Sequence, residues 1–554
     1  MKKVFQIIII SLAPILLLGT DVNVDASQKN APNMRKIFDI FRSANRAPEG
    51  RLKEINSQMV RTFPPLSIEG FGTLFDVIRG TAPDTTYHWG FVDSWVGPIL
   101  EEGGTVNLGY CYMPLALGDD QKGPPRDYDL WEDFNYNWAK YFNTKYGITS
   151  FEIWNEPDYG EFFSGSKSEY FEMYKYAVKG IKRAVPDARV GGPALAENPD
   201  NWIGPMLDFI IDNNLPIHFV SYHAQDNRDG FDDKGSKYHN RYKDILDELN
   251  ARGMDSVEIH LNEFSYELDP GQGSKYDKVE CAAWFASSFK FMLNEMPRLA
   301  LFNKTITNNG ELAEKWKYNG LVTTGNIPKA KYNLFKMYSK MPFSGIDVNV
   351  GNSNIDAMAS VNDSVAGVMI WNKQDNTEEF TLNLANLPFI ADSVQVFLID
   401  PEHSSYFDDE STKELEKIET IALDKASYSD ARTMLNHAIY LFLFKGSEQV
   451  SAINKPEYAV PEQYSLTNYP NPFNPTTTIA YQLKASGDVV LTVYDVMGRK
   501  VKTLVDNHQQ SGSYEIIFDA SGLASGVYYY QMDVTTSTAS GSRIKQIKKM
   551  LLIQ

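Results

Sequence analysis

Short apolar runs alternate with longer amphipathic stretches between about residue 33 and residue 335. Stretches with apolar residues three and four positions apart predict helices, and the runs between them predict the strands of a parallel sheet. The predicted strands lie near residues 36–41, 74–79, 105–112, 151–154, 188–192, 218–222, 257–261 and 298–302. The clearest predicted helices span residues 128–146, 168–185, 201–214, 239–252 and 277–295. Eight strands in this arrangement predict a closed (β/α)8 barrel.

The pattern changes after about residue 340. Short alternating or continuously apolar runs, separated by turn residues, are typical of a β-sandwich; they cover residues 364–371, 380–384, 393–398 and 438–444. A polar stretch with two prolines follows, and then a second set of short strands. The predicted fold class is therefore α/β, a (β/α)8 TIM barrel followed by two β-sandwich domains. Predicted bounds are 1–26 for a signal peptide, 33–338 for the barrel, 339–447 for an accessory sandwich, 448–463 for a linker and 464–554 for the last domain.

The first 26 residues have the pattern of a secretory signal peptide. Lys2 and Lys3 precede an apolar run from Phe5 to Leu18, and the chain then becomes polar. The run is short for a membrane span, so we expect it to be removed on export and leave it out of the predicted fold. The formal net charge of −18 argues against nucleic-acid or anionic-membrane partners.

Cys111 and Cys281 are the only cysteines in the sequence. Two small buried thiols are favoured, and a single disulfide is the alternative in an exported chain. No histidine neighbours them at a metal-ligand spacing, so neither a metal nor a cofactor is predicted.

Two predicted strands end in an Asn-Glu pair, Asn155-Glu156 on the fourth and Asn262-Glu263 on the seventh. Pro157 should end the fourth strand and hold Glu156 in an extended conformation. Barrel active sites lie at the carboxyl ends of the strands, where strands four and seven face each other. The two glutamates are therefore candidate catalytic residues; the alternative for a strand-end glutamate is a structural salt bridge.

Two carboxylates about 5 Å apart suit a retaining glycosidase. Glu263 would attack the anomeric carbon while Glu156 protonates the leaving oxygen. The charge on Glu263 would raise the pKa of Glu156 until the sugar ester forms, and Glu156 would then act as a base.

A series of motifs in this order resembles glycoside hydrolase family 39. Trp-Asn-Glu-Pro at 154–157 resembles the fourth-strand motif of the wider clan, and the segments at 99–114, 124–131, 190–194 and 219–224 resemble the family's other signatures. The family contains β-xylosidases, α-L-iduronidases and exopolysaccharide-cleaving enzymes. The resemblance implies Glu156 as acid/base, Glu263 as nucleophile, and Asn155 and His223 as sugar contacts.

The chain also departs from the family pattern. Arg79-Gly80 stands where a His-Gly is usual at the end of the second strand, Gln225 stands where a Tyr is common, and the eighth strand lacks a Trp. Arg79 would suit a uronate carboxylate, or it forms a salt bridge in the barrel mouth. Among the aromatic residues predicted near the mouth, Tyr266 is assigned to substrate binding. The substrate is thus either a β-xyloside or an acidic or substituted polysaccharide.

The last predicted domain begins with Pro/Asn-rich residues at 469–479 and ends in a basic stretch at 545–549. These motifs resemble the type A C-terminal sorting domain of the type IX secretion system. That resemblance implies the outer-membrane export machinery as a partner and a secreted or surface-attached protein. A carbohydrate-binding module is the alternative, and it too would place the protein outside the cell.

The sequence therefore predicts a secreted retaining glycoside hydrolase with a carbohydrate substrate. A catalytically inactive, sugar-binding relative on the cell surface is the alternative, and a purely structural surface protein would leave the motifs unexplained. The sugar, the linkage, exo or endo action and the oligomeric state stay open.

Overall fold

The computed structural model describes residues 19–34, 38–42, 50–57, 59–68, 75–79, 86–196, 199–225, 236–266, 277–305, 320–323, 325–446, 448–449, 464–469, 471–485, 487–509, 512–536 and 543–553. Within these ranges, no helix combines the length and apolarity that crossing a membrane would need. The first strand, β1 (Thr20–Asp25), belongs to a sandwich and not to the barrel.

Eight strands form a closed barrel, and the strand order around it follows the chain. The barrel strands are β2 (Phe38–Arg42), β3 (Met59–Thr62), β8 (Thr105–Leu108), β9 (Ser150–Glu152), β10 (Arg189–Leu195), β11 (Phe219–Ala224), β12 (Glu258–Phe264) and β13 (Leu299–Thr305). The pairing is parallel from β2 through β3, β8, β9 and β10 to β11, and again between β12 and β13. Four two-residue strands fall between β3 and β8 in the sequence and are not part of the barrel: β4 (Ser67–Ile68), β5 (Phe75–Asp76), β6 (Ile78–Arg79) and β7 (Thr86–Tyr87). The predicted fold class is confirmed.

The second barrel strand is not the predicted one. Residues 74–79 were the prediction, but β3 (Met59–Thr62) occupies this place between β2 and β8. Arg79 instead lies in β6, which pairs antiparallel with β7 in a small hairpin. The prediction was wrong because it followed apolar residues. The buried Val77 precedes β6, whereas β3 contains the polar residues Arg61 and Thr62, which are buried in the interior.

All five predicted helices are confirmed to within two residues at each end. The described helices are α1 (Arg51–Glu54), α2 (Gly90–Glu101), α3 (Tyr128–Tyr146), α4 (Lys167–Ala184), α5 (Pro199–Asp212), α6 (Lys237–Ala251), α7 (Val279–Glu295) and α8 (Ala330–Ser339). Helix α3 begins where the Asp127 side chain accepts hydrogen bonds from the first-turn N–H groups, and it ends at Gly147 with φ 70°. Helix α4 begins with a capping box between Ser166 and Glu169.

The accessory sandwich has one core between two sheets. Its strands after the barrel are β14 (Ser344–Ile346), β15 (Val348–Val350), β16 (Ile355–Val361), β17 (Val365–Asn372), β18 (Glu378–Ala385), β19 (Phe389–Ile399), β20 (Glu416–Lys425), β21 (Tyr428–Met434), β22 (Ile439–Lys445) and β23 (Glu448–Gln449). The smaller sheet runs β15-β1-β18-β21, and the larger runs β14-β16-β17-β22-β19-β20 with β23 beside β19.

The predicted signal-peptide boundary at Ala26 conflicts with β1. This strand lies inside the smaller sheet, antiparallel to β15 on one side and parallel to β18 on the other. Val22, Val24 and Ala26 are 0%, 2% and 2% exposed and belong to the sandwich core. Residues 20–26 are therefore part of the folded protein, and the sandwich draws on both sides of the barrel sequence.

The last domain is a separate sandwich with its own core, formed by residues between Leu466 and Leu552. Its strands are β24 (Ser465–Tyr469), β25 (Thr476–Leu483), β26 (Gly487–Asp495), β27 (Lys500–Gln509), β28 (Gly512–Asp519), β29 (Gly526–Thr536) and β30 (Arg543–Leu552). They form the sheets β24-β25-β28 and β27-β26-β29-β30. Most of the predicted linker, residues 450–463, lies outside the described residues.

Candidate active site

Glu156 follows the barrel strand β9, at its carboxyl end. The strand stops at Glu152, and both Trp154 (φ 73°) and Glu156 (φ 50°) adopt left-handed backbone conformations. Glu156 is thus not extended, as the following proline had led us to expect. Left-handed conformations in non-glycine residues cost on the order of 1–3 kcal/mol each and persist only where the surroundings hold them.

Neighbouring strands hold this turn. The N–H of Glu156 donates to the carbonyl oxygen of Ala194 at 3.1 Å, and Ala194 is itself left-handed (φ 59°). The N–H of Ala194 in turn donates to the Ser221 hydroxyl at 3.0 Å. A Cβ at Gly191 would lie 2.3 Å from the carbonyl oxygen of Phe219, so the glycine is needed for β10 to approach β11 this closely. Strand packing therefore fixes the backbone beneath Glu156.

Asn155 is held by Arg61, a residue that the sequence reading did not single out. The Arg61 guanidinium donates from Nη2 to Asn155 Oδ1 at 2.7 Å and from Nε to Glu152 Oε2 at 2.5 Å. All three side chains are at most 1% exposed. The guanidinium also lies 4.5 Å from the centre of the Phe63 ring. Arg61 thus joins the ends of β3 and β9 and fixes the orientation of the Asn155 amide.

Glu263 lies on β12, and its side chain is 14% exposed. Its Oε2 accepts a hydrogen bond from Gln225 Nε2 at 2.8 Å, and its Oε1 lies 3.9 Å from His223 Nε2. His223 is buried on β11, and its carbonyl oxygen accepts a hydrogen bond from Arg241 at 2.5 Å. Ser265 donates to Gln225 Oε1 at 2.5 Å. Glu263 therefore sits in a polar network formed by the ends of β11 and β12.

The side chains of Glu156, His223 and Glu263 converge. Each contributes one oxygen or nitrogen, and these three atoms lie within 4.8 Å of one another. The structure thus brings together the two predicted catalytic glutamates and the predicted sugar-binding histidine. One imidazole with two carboxylates is also a donor set that a divalent cation can use, while a close carboxylate pair is what glycoside hydrolysis requires.

This geometry agrees with the comparison of the sequence with known families. Residues 87–379, more than half of the chain, match the sequence model of the glycosyl hydrolases family 39. The chain belongs to family 39. A second match, over residues 467–547, is to the secretion system C-terminal sorting domain.

Two relatives of this family-39 chain are β-xylosidases. The β-xylosidase of Caldicellulosiruptor saccharolyticus is 27% identical over 307 residues, 51% of this chain and 62% of the relative. That of Geobacillus stearothermophilus is 34% identical over 153 residues, 25% of this chain and 30% of the relative. The chain thus spans less than two thirds of either curated relative.

The solved structures agree on the fold. A monomeric β-xylosidase from Caulobacter crescentus CB15 aligns with a TM-score of 0.61 at 17% identity, over 77% of this chain and 99% of that one.

Aromatic residues border Glu156 on one side. Tyr112 stacks on Phe162 at 6.0 Å between ring centres, and Tyr159, three residues after Glu156, is 40% exposed. Burial, and after it the charges of Cys111, Glu161 and Glu156, raise the pKa of Tyr112. Its phenol therefore stays protonated and neutral beside Glu156.

The remaining predicted site residues have different surroundings. Tyr266 is only 9% exposed, and its ring packs edge-on against Trp284 at 5.0 Å, so it offers little open surface for a sugar. Arg79 lies in the loop region after β3, but its side chain is outside the described part of the structure. Cys111 and Cys281 are both buried and are not joined in a disulfide, as the sequence favoured.

Proposed function

We propose that this family-39 chain is an exported retaining glycoside hydrolase, with Glu263 as nucleophile and Glu156 as general acid/base. The observation that carries the proposal is the approach of the two carboxylates, whose nearest oxygens lie within 4.8 Å. Retaining glycosidases hold the pair about 5–5.5 Å apart, whereas inverting enzymes need about 6.5–9.5 Å to admit a water molecule between carboxylate and sugar.

The reaction then has two displacements. In the first, a Glu263 oxygen bonds to the anomeric carbon while the bond to the leaving oxygen breaks and Glu156 gives that oxygen its proton. In the second, Glu156 removes a proton from water, the water oxygen bonds to the anomeric carbon, and the bond to Glu263 breaks. Two inversions leave the configuration unchanged, and each glutamate returns to its starting protonation state.

Asn155 and His223 are proposed to bind the sugar in the cleavage subsite. Since Asn155 Oδ1 accepts from Arg61, the Nδ2 end of the amide is the one oriented to donate to a sugar hydroxyl. His223 lies within the same cluster as the two carboxylates. Both side chains are buried at the strand ends, so their orientation is set before substrate arrives.

Neutral β-xylosides are the first proposed substrates, because both relatives reported above are β-xylosidases. Acidic or substituted polysaccharides are the second candidate. This rests on the cationic side chain of Arg79 alone, because Arg79 lies in the β6–β7 hairpin and not at the end of the second barrel strand, where the family resemblance had placed it. A guanidinium that binds a uronate should contribute on the order of 1.5–3 kcal/mol. Arg79→Lys should then slow cleavage of an aryl glucuronide more than that of an aryl xyloside; equal slowing would exclude this role.

The sorting-domain match supports export through the outer-membrane type IX machinery, with the enzyme outside the cell or attached to its surface. We propose this machinery as the protein partner of the last domain, and a carbohydrate as the partner of the barrel.

The catalytic assignment is tested by substitution and chemical rescue. Glu156→Gln should lower kcat on an unactivated substrate by about 10²–10⁴-fold, and Glu263→Gln by at least as much, with thermal unfolding little changed. With an activated aryl substrate, azide should rescue Glu156→Ala to give a glycosyl azide of retained configuration and Glu263→Ala to give one of inverted configuration. Swapped products would exchange the roles, and near wild-type rates in either Gln variant would refute the assignment.

A further inference from the structure

Gln225 is placed between the proposed nucleophile and a buried serine. It directly follows β11, and its side-chain amide makes two hydrogen bonds to groups at the end of β12. Nε2 donates to Glu263 Oε2 at 2.8 Å, and Oε1 accepts from the Ser265 hydroxyl at 2.5 Å. Ser265 is 0% exposed. The three side chains therefore form a chain of two hydrogen bonds that ends on Glu263.

The two ends of the amide are not equivalent, and Ser265 determines which one faces Glu263. Because the serine hydroxyl donates to Oε1, the NH2 end must point toward the carboxylate. The backbone reinforces this placement, since the N–H of Ser265 donates to the carbonyl oxygen of Ala224 at 3.4 Å. Lys237 donates to the carbonyl oxygen of Gln225 itself at 3.3 Å. Gln225 is thus held by Lys237 of α6 and by residues at the end of β12.

We propose that Gln225 is a positioning residue that holds Glu263 in its attacking orientation, and that Ser265 acts through Gln225 by fixing the amide. This inference rests on the proposed role of Glu263 as nucleophile. A hydrogen bond donated to a carboxylate favours the charged form, which is the form that attacks. Gln225 holds Oε2 of Glu263, so Oε1 of Glu263 is the oxygen that faces His223. The three active-site side chains converge on this side.

An amide suits this task because it carries no proton that titrates in water. The donor to Glu263 is therefore present at every working pH, and it cannot neutralise the carboxylate by passing it a proton.

Gln225→Leu removes both hydrogen bonds while keeping a side chain of comparable bulk. We expect kcat/KM to fall about ten- to a hundredfold and the acidic limb of its pH profile to move to higher pH. Ser265→Ala should give a smaller loss, roughly two- to tenfold, with a shift in the same direction. Gln225→Glu places a second carboxyl beside Glu263 and should move the acidic limb further still, since the two groups then titrate as a pair.

Ser287→Ala is the matched control. Ser287 is also a buried serine of the barrel region, but its hydroxyl accepts a hydrogen bond from Trp371 at 2.8 Å. This variant should lower thermal stability without moving the acidic limb. Ser265→Ala should shift the acidic limb of the pH profile, whereas the loss of a serine with only a structural role would not.

A trapping experiment separates this inference from the proposed function. The aryl glycoside that the full chain cleaves fastest is prepared with fluorine in place of the hydroxyl next to the anomeric carbon, and the labelled residue is found by peptide mapping. If Glu263 is labelled and the acidic limb of Gln225→Leu is shifted, the result supports both the nucleophile assignment and the role of Gln225. If Glu263 is labelled but Gln225→Leu keeps the wild-type kcat/KM and the wild-type acidic limb, the role of Gln225 is overturned and that of Glu263 stands. Label on another residue overturns the nucleophile and this inference with it. If Gln225→Leu does not fold, the shift of the acidic limb in Gln225→Glu and Ser265→Ala tests the role of Gln225 instead.

Discussion

Arg61 donates a 2.7 Å hydrogen bond to Asn155, so the second strand of the barrel holds the residue that immediately precedes Glu156. The same guanidinium pairs with Glu152 in a site where both side chains are 0% exposed. Removing one member of a buried ion pair costs about 3–5 kcal/mol. Arg61→Met should accordingly destabilise the barrel severely, and Arg61→Lys is the more informative change.

Arg61→Lys keeps the positive charge for Glu152 but loses the planar fork that reaches both partners. We expect kcat/KM to fall roughly tenfold or more, with a smaller effect on thermal unfolding. The losses in Arg61→Lys and Asn155→Ala should not add in the double variant, because both disturb one contact. Arg183→Lys, whose surface pairs with Glu132 and Asp133 are partly solvated, is the control and should be nearly neutral. Additive losses would show that Arg61 does not act through Asn155.

Strand β1 predicts where the mature protein begins. Since Val22 and Val24 are buried within a sheet, each should contribute about 1.5–3 kcal/mol through burial. N-terminal sequencing of the exported protein should give a start at or before Thr20. A chain starting at Ser27 should unfold at a markedly lower temperature than one starting at Thr20. A natural start at Ser27 with full stability would contradict the role of β1.

Tyr112 predicts a limited pH effect. Because burial, followed by the neighbouring charges, raises its pKa in the folded state, its contribution to stability is complete below its ordinary value of about 10 and is lost as the pH rises through the raised value. Tyr112→Phe should therefore lose less stability than the wild type between about pH 10 and pH 12. Both limbs of kcat/KM below pH 10 should stay in place. A shift of the alkaline limb in Tyr112→Phe would show that the phenol titrates during turnover.

Chelation tests whether the cluster of Glu156, His223 and Glu263 binds a divalent cation. If the carboxylates act on the sugar directly, dialysis against EDTA should leave kcat unchanged, and added Zn²⁺ should inhibit by occupying the cluster. Loss of activity on chelation with recovery on adding a divalent cation would instead assign the cluster to a metal.

The last domain predicts a separation of catalysis from export. Its core is formed by its own residues, so deleting residues 464–554 should leave the turnover number unchanged while the protein stays inside the cell. Leu491→Asp, which buries a charge in that core, should block export with the tail length intact. Ile547→Ser is the matched control, because this side chain is 52% exposed. Normal export of the truncated chain would refute the sorting role.

Local patterns in the sequence predicted five of the eight helices in the described residues, and seven of the eight barrel strands. The helix from Tyr128 to Tyr146 carries both a strong period and clear end signals, Asp127 and Gly147. Strand β3 escaped detection because it is four residues long and half polar, and the polarity of Arg61 is explained only by partners on β9. The left-handed backbone at Glu156 also has no local signal, since it depends on Ala194 from the next strand. Contacts between distant segments therefore account for what sequence reading missed at the site.

The place of β1 has a consequence for the order of folding. Asn23 on β1 and Asn383 on β18 are hydrogen-bonded neighbours although 360 positions separate them, and every barrel strand lies between. The loop-closure entropy of so long a separation grows only logarithmically, but such non-local pairing is slow. The barrel strands can therefore pair before β1 has reached β15 and β18 in the smaller sheet. During that interval β15 and β18 present unpaired edges that invite pairing with another chain. A freshly exported molecule should thus be most prone to aggregation at the sandwich, after its barrel has already closed.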